Sequence, residues 1–280
     1  MRQVYLPSSM NDLWSCLKDH PDAALFAGGT DLFVKMRAEK TDAPALIGLE
    51  RIGMLKDISE DSNNIRIGAA VTHDELLRHP IITHHLPVLC QALGTLGSPP
   101  IRAMGTIGGN ICTASPAGDT LPPLYVLQAW VETVSVSDTR LTPISDFISG
   151  PGKTRLQSGE IVAAVHVQKS PGVPLHHFEK VGQRKSMACA VASLAALLTL
   201  SSSNTITQAR LAWGSVGPTV VTSTEIEEFL IGKKLSPETL AAAAGQVSRF
   251  VNPIDDIRAS AGYRRRVSGN LLLRLLPPTS

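Results

Sequence analysis

Two pairs of adjacent glycines are the features that most constrain how this chain can fold. One pair lies in Ala-Gly-Gly-Thr-Asp at residues 27–31, after an apolar run, and the other in Thr-Ile-Gly-Gly-Asn at residues 106–110. Glycine accepts positive φ values and lets another group approach the backbone closely, so successive N–H groups can form an anion-binding concavity. A plain turn is the alternative for either segment alone. Two such segments in one chain favour joint binding of a single anion.

The length, charge and cysteine content of the chain limit the class of protein to which it can belong. The chain has 280 residues, of which 43% are hydrophobic, enough for about two domains with a real core. A net charge of +2 and a single short basic run at residues 264–266 argue against nucleic acid as a partner. The longest apolar run, residues 187–200, is too short to cross a bilayer, so we expect no membrane segment. Four widely spaced cysteines predict no disulfide framework and a reducing, cytoplasmic setting.

The hydrophobic pattern changes along the chain. The first part indicates a β-loop-α-β unit, with strands at residues 23–27 and 45–49 and a helix that begins after Thr30 or Asp31. A short alternating strand follows at residues 65–68, then a helical region at 72–96 and a buried helix at 121–130. Further strands are predicted at residues 131–136 and 160–167. The segment Pro-Gly-Val-Pro at residues 171–174 predicts a domain boundary.

The segment after this boundary begins with strands and ends with helices. Strand-like runs are predicted at residues 176–181, 188–200 and 206–213, and helical patterns at 224–230, 236–250 and 259–276. Strands that precede helices in this way indicate an α+β terminal domain.

The sequence lacks the residue spacing that metal sites, serine hydrolases and the common nucleotide-binding motifs require. The histidine doublets at residues 84–85 and 176–177 occur without a His-Glu-x-x-His pattern, so no metal site is predicted. No Gly-x-Ser-x-Gly is present, and Cys189 lies in an apolar run as a core thiol would. Neither glycine pair has the Gly-x-Gly-x-x-Gly spacing, and Asp31 stands where a Walker loop needs lysine. No catalytic residue is therefore assigned, and a dinucleotide cofactor held by neutral backbone is the remaining interpretation.

Three segments occur in this order: residues 25–32, residues 106–111 with Ser115, Pro116 and Asp119 just after them, and Asp-Asp-Ile-Arg-Ala-Ser at 255–260 with Tyr-Arg-Arg at 263–265. Together they resemble the FAD-binding (medium) subunit of the molybdenum hydroxylases, the family of bacterial xanthine dehydrogenase and carbon monoxide dehydrogenase. The resemblance covers nearly the whole chain. It implies an α+β fold with a two-lobed FAD-binding domain of the vanillyl-alcohol-oxidase (PCMH) type over residues 1–172. Its lobes would span about 1–54 and 55–172, and residues 173–280 would form a smaller α+β C-terminal domain.

The resemblance also implies which residues hold a noncovalent FAD. The pyrophosphate is assigned to the two glycine segments, whose matching positions are Leu25, Phe26, Ala27, Gly28, Gly29, Thr30, Asp31, Leu32, Thr106, Ile107, Gly108, Gly109 and Asn110. Leu96 is expected against the adenine and Asp119 near the adenosine ribose. Val162 matches a position on the isoalloxazine face, and Lys180 matches a lysine near its pyrimidine end. An ammonium there would favour the negative charge of reduced flavin. A solvated strand lysine is the alternative for Lys180.

The function implied by the resemblance is electron transfer within a heteromeric enzyme. A molybdopterin-binding large subunit would hydroxylate the substrate, and a [2Fe-2S] small subunit would carry single electrons. FAD on this chain would pass electron pairs to NAD⁺ or another acceptor. The absence of clustered cysteines agrees with iron–sulfur centres on another chain. Ile-Arg-Ala at residues 101–103 and Met-Ala-Cys-Ala at 187–190 depart from the family patterns Ile-Arg-Asn and Met-Asp-Ile-Ala, which bears on the electron acceptor.

Two other functions compete with this one. The first is an assembly or binding protein that kept the flavin fold without redox turnover of its own. The second is a free-standing flavin oxidase, which is disfavoured because the sequence offers no candidate base beside the ring. Binding of FAD distinguishes the first from a flavin subunit.

Overall fold

The first lobe is a small parallel α/β unit. The computed structural model describes residues 2–169, 172, 175–184 and 189–276. Three parallel strands in the order β1-β3-β2 form a sheet with two helices. In chain order the elements are β1 (Gln3–Tyr5), α1 (Met10–Asp19), β2 (Ala24–Phe26), α2 (Leu32–Arg37) and β3 (Ala45–Gly48). The predicted β-loop-α-β unit is therefore present, with its glycine pair in the loop between β2 and α2.

The second lobe combines an antiparallel sheet with a layer of short helices. Its sheet has the order β4-β5-β10-β6-β7. The elements are β4 (Ile58–Glu60), β5 (Asn64–Gly68), α3 (His73–Arg78), α4 (Pro80–His85), α5 (Pro87–Thr95), α6 (Pro99–Met104), α7 (Ile107–Thr113), α8 (Leu121–Val126), β6 (Trp130–Val134), β7 (Thr139–Pro143), α9 (Ile144–Phe147), β8 (Ile148–Gly150), β9 (Lys153–Thr154) and β10 (Ile161–Gln168). Prolines begin several of these helices, where their missing N–H costs nothing.

The C-terminal domain is a four-stranded antiparallel sheet followed by helices. Its elements are β11 (Leu175–Val181), β12 (Ala192–Leu200), β13 (Ile206–Gly214), β14 (Val221–Thr222), α10 (Thr224–Leu230), α11 (Pro237–Val247) and α12 (Ala261–Asn270), then a 3₁₀ turn at Leu271–Leu275. The α+β prediction for this domain is confirmed. The predicted boundary at residues 171–174 lies outside the described residues except for Gly172.

The long apolar run in this domain is a strand that is buried on both faces. Ala195 and Leu197 of β12 pack into the core of the second lobe, whereas Leu194 and Leu198 pack against the C-terminal helices. A strand between two apolar layers needs no polar alternation. The sheet therefore joins the C-terminal domain to the helical layer of the second lobe. In the described part of the chain, no helix has the length and apolarity needed to cross a membrane.

Gly245 offers a test of the helix assignment in α11. It is exposed, and nothing lies within 4 Å of the position that a Cβ would take. Because alanine loses less backbone entropy than glycine in a helix, Gly245→Ala should raise the free energy of unfolding by about 0.5–1 kcal/mol. Urea denaturation followed by circular dichroism measures the change, and a lower stability would contradict the helical environment described here.

Candidate functional site

A cavity of about 680 Å³ brings both glycine segments together. Its wall comes from the loop before α2, the ends of α5 and α6, the helix α7 and the strand β10, with Cys189 from the C-terminal domain. Of the residues predicted for the cofactor, those that line the cavity are Leu25, Phe26, Ala27, Gly28, Gly29, Thr30, Asp31, Leu32, Leu96, Thr106, Gly108, Gly109, Asn110, Asp119 and Val162. Ile107 and Lys180 are not part of this wall.

The first glycine segment presents unused backbone donors. Within the described chain, the N–H groups of residues 28–31 donate neither to backbone carbonyls nor to side chains. Gly28 lets this loop lie directly against the residues just before the second segment, since a Cβ at Gly28 would come within 1.7 Å of the Met104 carbonyl oxygen. Gly29 has a φ of 69°, which favours glycine. This loop therefore has the free N–H groups and the close approach that an anion site requires.

The second glycine segment is a helix start and not the turn that we predicted. Thr106 is the N-cap of α7, and its hydroxyl accepts the N–H of Gly109 at 3.1 Å. The N–H groups of Ile107 and Gly108 donate to the carbonyls of Val71 and Ala69 at 3.1 and 2.9 Å. These bonds use the donors that were expected to face an anion. The side chain of Ile107 is fully buried in the core of the second lobe, so Ile107 does not contact the cavity.

Side chains supply further polar groups between the two glycine segments. Asp31 accepts a hydrogen bond from the Thr113 hydroxyl at 3.0 Å and pairs with Lys35 at 2.7 Å. Its negative charge is thereby compensated and does not repel a phosphate. The Thr120 hydroxyl donates to Asn110 Oδ1 at 2.7 Å, which leaves the amide NH₂ group of Asn110 for a ligand. Lys35 was missed by the sequence reasoning, although its position four residues after Asp31 on α2 predicts this ion pair.

Asp119 and Lys180 form a buried ion pair at the cavity. Lys180 Nζ lies 2.5 Å from Asp119 Oδ2, and the two side chains are only 7% and 9% exposed. Burial raises the pKa of Asp119, whereas Lys180 lowers it. Oδ1 of Asp119 is buried without a hydrogen-bond partner among the described residues. Because the two groups touch, they lie at the same place beside the cavity.

His73 is a second residue that the sequence reasoning did not single out for the site. It lies at the start of α3 and forms part of the cavity wall together with Leu96, Gly97 and Ile101. Its imidazole is almost fully buried, and burial together with the nearby Arg102 guanidinium lowers the pKa of His73 to about 4. His73 is therefore neutral near pH 7. In the sequence His73 directly follows the capping residue Thr72, so the pattern there predicts only the start of a helix.

The chemistry of the wall defines the class of ligand. Free N–H groups and the Asn110 amide lie in a wall that also contains apolar side chains such as Leu25, Leu49 and Leu156. A cavity of this volume with few polar groups suits a large organic ligand that carries an anionic group. The described residues contain no group of three or more His, Cys, Asp or Glu side chains arranged for a metal ion. The site is that of a protein that binds a phosphate-bearing organic cofactor.

Comparisons with known proteins show the family to which the chain belongs. Residues 1–169 match the FAD binding domain in molybdopterin dehydrogenase, and residues 177–278 match the CO dehydrogenase flavoprotein C-terminal domain. The chain is 32% identical over 260 residues to the xanthine dehydrogenase FAD-binding subunit of Escherichia coli O157:H7, covering 92% of this chain and 88% of the relative. It is 31% identical over 270 residues to the nicotinate dehydrogenase FAD-subunit of Eubacterium barkeri, covering 94% and 90%.

Solved structures agree with these relatives. A chain of the Cu,Mo-CO dehydrogenase superposes with a TM-score of 0.91 at 28% identity, covering 98% of this chain and 95% of the other. A chain of quinoline 2-oxidoreductase from Pseudomonas putida 86 gives a TM-score of 0.93 at 25% identity with the same coverage. The protein belongs to the family of FAD-binding medium subunits of molybdenum hydroxylases. It is thus an FAD-dependent oxidoreductase subunit, as the sequence resemblance implied.

Proposed function

We propose that this chain binds FAD noncovalently and transfers electrons between an iron–sulfur subunit and NAD⁺. The observation that carries the proposal is the row of N–H groups at residues 28–31 beside the cavity, which have no partner among the described residues. A pyrophosphate supplies the acceptors that these groups lack. Bound FAD would supply the exchange of single electrons and of electron pairs. No His or Cys lies within either glycine segment, which favours noncovalent attachment.

The residues of the chain would hold the cofactor by position and electrostatics. In our proposal the first glycine segment and the Asn110 amide bind the pyrophosphate, while Lys35 compensates the Asp31 carboxylate beside it. Leu96 would pack against the adenine and Val162 against the isoalloxazine. We place the Asp119–Lys180 pair at the flavin half, as the resemblance assigns Lys180, and no longer at the adenosine ribose. The two lobes at about residues 1–54 and 55–172 and the C-terminal domain at 173–280 are our proposed boundaries.

The partners are proposed from the names of the relatives. Similar proteins are called FAD-subunit or medium chain of nicotinate and carbon monoxide dehydrogenases, which implies further subunits in those enzymes. For this chain we propose a large subunit with molybdopterin and a small subunit with [2Fe-2S] clusters. A reducing, cytoplasmic location suits its four free cysteines. Copurification of the native complex, followed by mass spectrometry of its subunits, tests the composition directly.

Titration with FAD tests the central claim. The purified chain should turn yellow with one FAD per chain and show altered flavin absorbance and fluorescence, because the isoalloxazine leaves water for an apolar cavity. Reduced nicotinamide should then bleach the bound flavin in the assembled complex. A chain that ignores added FAD would support the alternative of a non-redox assembly protein. Turnover of a substrate by the chain alone would support a free-standing oxidase.

A further inference from the structure

A buried arginine lies in the C-terminal signature, the segments Asp-Asp-Ile-Arg-Ala-Ser at 255–260 and Tyr-Arg-Arg at 263–265. None of these residues lines the cavity. Arg264 on α12 is nevertheless only 4% exposed. A buried guanidinium gives up its hydration, and an apolar side chain would fill the same space at less cost. The hydrogen-bond partners of Arg264 therefore indicate what this buried charge does.

The guanidinium joins the ends of two strands to a loop. Its Nη1 donates to the carbonyls of Val191 and Ser215 at 2.7 and 3.1 Å. Its Nη2 donates to Asp256 Oδ1 at 2.7 Å. Val191 directly precedes β12 and Ser215 directly follows β13, and these two strands are antiparallel neighbours. A planar fork with several N–H donors can serve three acceptors at once, whereas the single ammonium of a lysine lacks this geometry.

Asp256 holds the loop before α12 in one conformation. Its Oδ1 also accepts the backbone N–H groups of Arg258 and Ala259 at 2.8 and 3.1 Å. The Arg258 N–H is the main reason that the pKa of Asp256 lies well below its usual range, so the carboxylate is charged at neutral pH. The Arg258 carbonyl in turn accepts the side-chain amide of Gln183 at 3.1 Å. The signature therefore holds the chain shortly after β11 as well as directly before β12.

The partners of Arg264 lead directly to the cavity wall. Cys189, which stands shortly before β12, lines the cavity. Ser215 donates its N–H to the carbonyl of Pro116, in the turn at residues 115–119, and the other four residues of this turn line the cavity. Ser215 has a φ of 64°, a left-handed conformation that persists only where surrounding contacts hold it. Arg264 supplies such a contact, although it does not line the cavity itself.

We propose that Arg264 is a positioning residue that holds the C-terminal domain against the turn at residues 115–119 and thereby sets the shape of the cavity there. Its hydrogen bonds keep Cys189 and Ser215 in the places that a bound cofactor requires. The expected effect on FAD affinity rests on the proposed function, whereas the effect on the cavity wall does not. An arginine that only filled space would not couple opening of this wall to the affinity for a ligand.

Hydrogen exchange of the ligand-free full chain, measured by mass spectrometry, tests the effect on the wall. In Arg264→Met, the backbone at residues 189–193 and 213–217 should exchange about ten-fold faster, because both segments lose charge-assisted hydrogen bonds and open locally. The first lobe, residues 2–54, should exchange as in the wild type. Arg266→Met is the matched control, since Arg266 is exposed on the same helix and its side chain has no partner among the described residues.

Titration with FAD tests the effect on the ligand. The apparent affinity scales with the fraction of molecules in the binding-competent form, so a variant with about a tenth of its molecules in that form binds about ten-fold more weakly. We expect this loss for Arg264→Met and none for Arg266→Met. If Arg264→Met does not unfold cooperatively, Arg264→Lys replaces it. Lysine keeps the charge but cannot bond to both carbonyls and to Asp256, so it predicts the same local opening on a smaller scale.

Three outcomes would overturn the role of Arg264. Equally faster exchange over the whole chain would show a general loss of stability, and unchanged exchange in both segments would show that Arg264 holds neither of them. Local opening with an unaltered FAD affinity would show that this part of the wall does not affect the cofactor. A wild-type chain that binds no FAD refutes the proposed function, while the exchange measurement still decides whether Arg264 holds the wall.

Discussion

Gly109→Leu should weaken FAD binding severely while the chain remains folded. Gly109 lines the cavity on α7, and within the described chain only the Thr106 hydroxyl lies near the position of a Cβ, at 2.9 Å. The Thr106 hydroxyl blocks a leucine side chain on the protein side. The leucine would therefore extend into the cavity and occupy the space proposed for the pyrophosphate. We expect a loss of affinity on the order of a hundred-fold or more, which corresponds to about 3 kcal/mol.

The matched control for this change is Gly245→Leu. Gly245 is also a helical glycine, but it is exposed and distant in sequence from the cavity segments. Both variants gain helix propensity, whereas Gly109→Leu also displaces the capping hydroxyl of Thr106, at a cost of about 1 kcal/mol. Circular dichroism and urea denaturation establish that both are folded, and flavin fluorescence gives the affinities. An unaltered FAD affinity in Gly109→Leu would show that the pyrophosphate lies elsewhere.

Lys180→Met destabilises the protein by about 3–5 kcal/mol at neutral pH. The substitution leaves the carboxylate of Asp119 buried without its countercharge, and a broken buried pair typically costs this much. The double variant Asp119→Asn with Lys180→Met should recover much of the loss, because neither side chain of the pair is then charged. Guanidinium denaturation of wild type, single and double variants measures the coupling. Equal stabilities of the single and double variants would show that the pair contributes nothing beyond its packing.

The same variant should show a characteristic pH dependence. Burial already raises the pKa of Asp119 above its ordinary 3.8, and removal of Lys180 raises it further. Between the unfolded and the folded pKa, the folded protein binds more protons, so stability falls as the pH rises through this interval and stays low above it. The deficit of Lys180→Met should therefore be smaller at pH 5 than at pH 8. A deficit that is equal at both pH values would place the loss in packing and not in the charge.

Local sequence patterns were sufficient for much of the architecture. The β2-α2-β3 unit, the strand at Asn64–Gly68 and the order of strands before helices in the C-terminal domain follow from apolar periodicity and turn residues. These signals lie within a few residues of one another, so they can be recognised without knowledge of the tertiary contacts. The two glycine segments were also found in this way, whereas Asp119 was assigned from the family resemblance. The structure places all three around one cavity.

The ends of elements and the direction of hydrogen bonds were less predictable. The segment Thr-Ile-Gly-Gly-Asn reads as a turn because glycine is a poor helix former, yet it begins α7. Its helix is possible because Val71 and Ala69, more than thirty residues earlier, accept two of its N–H groups. Propensity carries no information about such distant partners.

The sequence by itself determined the α+β class, the positions of the glycine segments and the membership of a flavin-subunit family, because each depends on residues that are close together along the chain. Only the tertiary structure decided which N–H groups remain free for a phosphate, that Lys180 pairs with Asp119 across 61 positions, and that His73 reaches the cavity. These contacts arise when separate lobes and domains pack against each other. The strength of these hydrogen bonds and ion pairs depends on burial and on partners that are distant in sequence, and both arise only in the folded chain.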